Sequence, residues 1–178
     1  ELSTEASALT ARGFRPVVAD LDQDGFTEVI APGPDRRSLV ALAPKVKWLR
    51  WRVPGTPPRS TARGRLTPDG EDLVIVTRGP RIFGYASSDG RARFVFDAPA
   101  LVDHVGFSSA KGEQPAVLYA AGRSTDTDAE PFLLRAEWGG DEWVVSWELK
   151  RPVSGLTPLG FDLDGDGRGE LLVGAPLA

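Results

Sequence analysis

Asp162-Leu-Asp-Gly-Asp-Gly-Arg-Gly-Glu-Leu-Leu-Val-Gly-Ala-Pro-Leu-Ala178 closes the chain with four carboxylates in nine positions, followed at once by an apolar run. The same pattern opens it, in Asp20-Leu-Asp-Gln-Asp-Gly-Phe-Thr-Glu28 followed by Val29-Ile30-Ala31. Both stretches read D-x-D-x-D-G-x-x-E. Aspartates at alternate positions before a glycine resemble the start of a calcium loop, in which a tight turn aims carboxylate oxygens and a backbone carbonyl at a hard cation. Without an ion, four crowded carboxylates would repel one another and in part protonate. The pattern is not an EF-hand, because position 12 is Ala31 in one copy and Val173 in the other where a bidentate Glu would be needed. Pro16-Val-Val-Ala19 before the first loop and Leu171-Leu-Val173 after the second are short runs of strand type. A strand-loop-strand calcium site is therefore predicted. The competing reading is a pair of solvated acidic turns, since Asp and Gly are ordinary turn residues; two copies with one spacing and one context favour the metal.

Working outward from these loops, alignment on the glycine finds Gly25, Gly70, Gly112 and Gly167, separated by 45, 42 and 55 residues. Each precedes an apolar strand ending in small turn residues, as in Leu73-Val-Ile-Val-Thr-Arg-Gly-Pro80 and Ala116-Val-Leu-Tyr-Ala-Ala-Gly122. Further strand candidates fill each interval, among them Ser38–Leu42, Val46–Val53, Arg81–Tyr85, Ala92–Phe96, Phe132–Ala136 and Glu142–Leu149. Four strands in a period of roughly 40 to 50 residues is the arithmetic of a β-propeller blade. The fold class predicted is all-β: blades of four antiparallel strands, about three and a half to four in this chain, belonging to a larger propeller or assembly. The repeats run roughly over 15–55, 61–98, 101–150 and 156–178 of a single domain spanning residues 1–178. In the middle copies the acids are largely gone. Arg65, Thr67 and Asp69 stand for the three aspartates around Gly70, and Phe107, Ser109 and Lys111 around Gly112, where the lysine could neutralise carbonyls without an ion.

The C-terminal copy, with Gly160-Phe161 before its loop and Leu171-Leu-Val-Gly-Ala-Pro176 after it, resembles the FG-GAP (integrin α-type, VCBS-like) propeller repeat. The third copy has Gly106-Phe107, and the first has Ala31-Pro-Gly-Pro34 where Gly-Ala-Pro would stand. The resemblance implies an extracellular propeller, secreted or at the cell surface, with inter-strand calcium loops on one face. It implies two Ca2+ sites: Asp20, Asp22, Asp24 and Glu28 with the carbonyl of Phe26, and Asp162, Asp164, Asp166 and Glu170 with the carbonyl of Arg168. The family's last acid is often Asp, so Glu is a departure that bears on reach.

Composition narrows the function. Of 178 residues 41% are hydrophobic and 26% charged, with a net charge of −4, which is the wrong sign for a nucleic-acid partner. Eight of the 25 acids sit in the two loops. There is no cysteine, hence no disulfide or thiolate site, and no apolar stretch reaches the length of a membrane span. With no methionine even at position 1, the chain reads as a processed protein, a domain or a fragment. His104 lacks a Ser, Cys or second metal ligand at a recognisable spacing, and Asp103 beside it alternates to the other face of a strand, so the two form no dyad. Trp143, Val145, Trp147 and Leu149 share one strand face and read as packing between blades; Trp48 and Trp51 fall on opposite faces, so at least one is expected to meet solvent, a neighbouring subunit or a sugar. Ser124–Glu130 reads as a solvated insertion. The expectation is a non-catalytic calcium-binding module for adhesion, protein–protein interaction or assembly with other subunits. Alternatives are a glycan-binding propeller (lectin) and an accessory domain of a secreted polysaccharide-active enzyme.

Overall fold

The structure, a computed structural model, describes residues 16–21, 24–35, 37–43, 48–55, 58–123, 131–150, 159–161 and 170–172. Among them every regular element is a strand. The first sheet holds β1 (Val17–Ala19), β2 (Glu28–Pro32), β3 (Ser38–Ala43) and β4 (Trp48–Pro54); the second holds β5 (Thr61–Gly64), β6 (Leu73–Arg78), β7 (Arg81–Ala86) and β8 (Ala92–Asp97). The third holds β9 (Leu101–Ser108), β10 (Val117–Arg123), β11 (Pro131–Trp138) and β12 (Trp143–Lys150), and β13 (Leu159–Phe161) pairs with β14 (Glu170–Leu172). All pairings are antiparallel, each four-stranded sheet is a simple meander, and the opening strands β1, β5, β9 and β13 lie next to one another in turn. This is the arrangement of propeller blades, with the innermost strands around a common axis.

The core lies between blades. Ile30, Leu39, Ala41 and Trp51 of the first sheet meet Val74, Val76 and Tyr85 of the second. On the other face of the second sheet Leu73, Ile75, Ile82, Phe94 and Phe96 meet Val102, Val105, Phe107, Leu118, Phe132 and Leu134 of the third. Strand β6 is thus buried on both faces. That explains its unbroken Leu73-Val-Ile-Val76 run, where a strand with one wet face would alternate.

Each outermost strand carries one extra residue at the same place. The pairing shifts between Ala41↔Trp51 and Leu42↔Leu49, between Gly84↔Phe94 and Tyr85↔Ala92, and between Arg135↔Trp147 and Ala136↔Val145. Arg50, Arg93 and Ser146 are therefore the extra residues of three equivalent β-bulges, and an aromatic residue follows each. Trp51 turns into the core, 7% exposed, and its indole N–H donates to the Ser87 carbonyl at 2.8 Å. Phe94 packs edge-on against Trp143 at 5.2 Å between centroids, in the space left by Gly84, where a Cβ would lie 2.1 Å from the ring.

The first of these bulges corrects an expectation drawn from strict alternation: with Arg50 as the extra residue, Trp48 and Trp51 stand opposite Ala43 and Ala41, on one face of the sheet and not on two. Trp51 is buried, and the side chain of Trp48 lies outside the described residues. Trp143 does pack between the second and third blades, whereas Val145, two residues on, is 50% exposed. A further bulge, opposite Ala121 and Gly122, makes Asp103 the extra residue of β9 and breaks its alternation with His104. Asp103 accepts from Arg59 at 2.6 Å and Arg123 at 3.0 Å, so its partners are arginines.

Candidate functional site

Residues 20–27 connect β1 to β2, and the register closes the hairpin with Ala19 opposite Glu28. The loop winds around Asp20. One oxygen of its carboxylate accepts the Asp24 N–H at 3.1 Å and the other the Gly25 N–H at 2.9 Å, while Asp24 Oδ1 accepts the Phe26 N–H at 2.9 Å. Gly25 sits at φ +85°, a left-handed conformation that side chains other than glycine's rarely adopt, and this turns the chain back toward β2. Each Asp20 oxygen keeps a further lone pair for a cation, and the donor set is oxygen throughout, which suits a hard ion. Asp24 is exposed at the tip, and the Phe26 ring is 49% exposed, which leaves its backbone carbonyl as the chemically useful part. Asp22 lies outside the described residues. Among the described residues no three His, Cys, Asp or Glu side chains converge as metal ligands.

Glu28 behaves differently from the aspartates. It is 2% exposed, its Oε2 accepts the Leu21 N–H at 2.8 Å, and its Oε1 stands 3.9 Å from Arg50 Nη1. A buried carboxylate needs such partners. Glu28 thus holds the entry of the loop to its exit.

The other three connections share this frame. Gly64 lies opposite Leu73, Ser108 opposite Val117 and Phe161 opposite Glu170, so the connections 65–72, 109–116 and 162–169 have one length between equivalent strands. In the fourth loop Asp162, Asp164, Asp166 and Arg168 lie outside the described residues, as does the side chain of Glu170. Their acid spacing over this register is nevertheless that of the first loop.

The register moves the third loop by two residues from the alignment on glycine. Ser109 takes the position of Asp20 and Lys111 that of Asp22, whereas Phe107 belongs to β9, is buried, and fills the space left by Gly64. Gly112 serves a smaller turn in which Lys111 and Gln114 exchange backbone hydrogen bonds.

The second loop carries the strongest electrostatics near the site. Arg65, at the position of Asp20, donates Nε to Asp72 Oδ1 at 3.1 Å and Nη1 to the Pro68 carbonyl at 3.5 Å. Arg63 Nη2 donates to Asp72 Oδ2 at 2.7 Å and reaches the carbonyl of Asp20, across the blade boundary, at 3.4 Å. Burial pushes the Asp72 carboxyl up, but the hydrogen bonds from Arg63 and Arg65 outweigh it and hold its pKa below the ordinary value of 3.8. The backbone of Arg65 meets the third loop as well, with Arg65 N–H on Ser109 Oγ at 3.1 Å and the Ala110 N–H on Arg65 O at 3.1 Å. Sequence reasoning noted Arg65 as a lost acid. The missed signal was its sign, a fixed positive charge placed where two other loops carry a negative one.

No protein-family model matches the chain, and no curated protein matches it. No helix among the described residues is long and apolar enough to cross a membrane. The fold does have counterparts among solved structures. The rhamnogalacturonan lyase PL11 of Bacillus licheniformis is similar with a TM-score of 0.57 at 13% identity, over 90% of this chain and 39% of the lyase. BBS1N, solved in complex with ARL6DN and soaked with lead, is similar with a TM-score of 0.51 at 11% identity, over 94% of this chain and 64% of that one. The chain thus spans well under half of the lyase and somewhat under two thirds of BBS1N. At these identities the likeness is one of fold alone, an all-β array of propeller blades.

Proposed function

We propose that the chain is a calcium-binding propeller module, without catalysis of its own, that serves adhesion, protein–protein interaction or assembly outside the cell. The observation that carries the reading is the shared hairpin register: both D-x-D-x-D-G-x-x-E stretches span the same eight-residue connection between antiparallel strands, with the last acid opposite the residue before the first. Asp20, Asp22, Asp24 and the Phe26 carbonyl would hold one ion, with Glu28 bracing the loop. Asp162, Asp164, Asp166, Glu170 and the Arg168 carbonyl would hold the other. Bound calcium would supply the positive charge that offsets the crowding of these carboxylates.

A protein partner is favoured over a glycan because Trp51, one of the two aromatics that could have stacked on a sugar, is buried. The rhamnogalacturonan lyase keeps the accessory-domain reading open as a second choice, on shared fold only.

Thermal melting with and without calcium tests the proposal. An ion at ten times its Kd adds about 1.4 kcal/mol per site to the folded state. Asp22→Ala and Asp164→Ala should each remove one such increment, and in chelator should melt at or slightly above wild type because a crowded carboxylate is gone. Equal melting temperatures of wild type in millimolar calcium and in chelator would refute calcium binding by these loops.

A further inference from the structure

The second loop has the length and register of the first, yet at its opening position it carries an arginine. We propose that this loop supplies its own cation: the Arg65 guanidinium, shared with Arg63 across Asp72, does for it what a divalent ion does for an all-acid loop. Three observations converge on this. The guanidinium gathers loop oxygens of the two kinds a hard cation uses, a carboxylate from Asp72 and a backbone carbonyl from Pro68. Asp72 is the buried acid of the loop, its side chain 6% exposed, and both of its oxygens are taken by the two arginines. The arrangement also extends outward, because Arg63 reaches the Asp20 carbonyl of the first loop and the Arg65 backbone joins Ser109 and Ala110 of the third.

A guanidinium stays charged at every pH a protein survives and cannot be chelated away. The second blade, in the middle of the three four-stranded sheets, is therefore closed at its loop face whatever the calcium level. The inference does not depend on the acidic loops holding calcium.

The test uses the whole chain with Arg65→Asp, which places the acid of the first loop in the second, and Arg65→Met, which removes the charge without replacing it. In chelator, Arg65→Asp should melt several degrees below wild type, because the introduced carboxylate would face Asp72 with only Arg63 between them. Millimolar calcium should then recover more than half of that gap, beyond whatever shift wild type itself shows. Arg65→Met should stay low in both buffers. The proposal is overturned if Arg65→Asp melts with wild type in chelator, or if calcium raises it no more than it raises wild type. Should Arg65→Asp fail to fold in either buffer, the Asp72 carboxyl titrated by carbon NMR in Arg65→Met decides. A rise in its pKa supports an internal cation and no change refutes it. A wild type that gains nothing from calcium beside a responsive Arg65→Asp would sink the calcium reading of the acidic loops and leave this one standing.

Discussion

At the scale of single residues, the two acids that matter most for stability are the ones turned inward. Glu28→Ala would strand the Leu21 N–H and leave Arg50 without its buried neighbour. A buried donor without a partner costs about 1–3 kcal/mol, so this variant should lose about that much in urea unfolding, in chelator as in calcium. A loss confined to calcium-loaded protein would make Glu28 a ligand first and a brace second. Asp72 gives a pH signature. Its folded pKa is lowered, so the stability it contributes is complete above the unfolded value of about 3.9 and is lost as pH falls through the folded value. Asp72→Asn should accordingly be less stable than wild type at neutral pH, and the difference should close as acid protonates Asp72. A gap that persists in acid strong enough to protonate Asp72 in the folded protein would mean that the carboxylate charge is not what the arginines hold. Much of this scale was legible in advance, since Asp20, Asp24 and Gly25 meet at one turn as their spacing implied. The inward turn of Glu28 was not, because spacing reports which residues are neighbours and is silent on which way a side chain points.

Elements were read well where the apolar runs were long and poorly where a strand is irregular. Four strands per blade follow from turn residues and short apolar runs, and the meanders contain them. The bulges at Arg50, Arg93 and Ser146 left no mark in a pattern assumed to alternate, and this is why Trp48 and Trp51 were placed on opposite faces. Their trace is subtler: the aromatic after each bulge, Trp51, Phe94 and Trp147, recurs once per blade. In the same way the third loop was aligned two residues off, because Gly112 was taken for the loop glycine when it serves a tighter turn. Gly84→Ala tests the packing on which a bulge depends. A Cβ there would meet Phe94 at 2.1 Å, in a ring already wedged against Trp143. Overpacking of this kind costs about 1–3 kcal/mol, which urea titration at unchanged slope would register. A neutral effect would mean that the ring moves freely in the solvated protein.

For the molecule as a whole, the central sheet has no wet face along β6, and each neighbour completes its core with side chains from it. Blades joined in this way should not melt one by one. Calorimetry on the chain should give a single transition for the three four-stranded sheets with calorimetric and van't Hoff enthalpies in agreement, and two resolved transitions would show the interblade cores to be weaker than the burial suggests. The three bulges have one more consequence, at the rim. The outermost strands β4, β8 and β12 present unpaired backbone groups, and a regular strand there would be a template for any passing extended chain. An extra residue in the middle of each row throws its donors and acceptors out of step and sharpens the local twist. A would-be fifth strand could match one half of a rim or the other, but not both, so the repeat that builds the array also limits each blade to four strands.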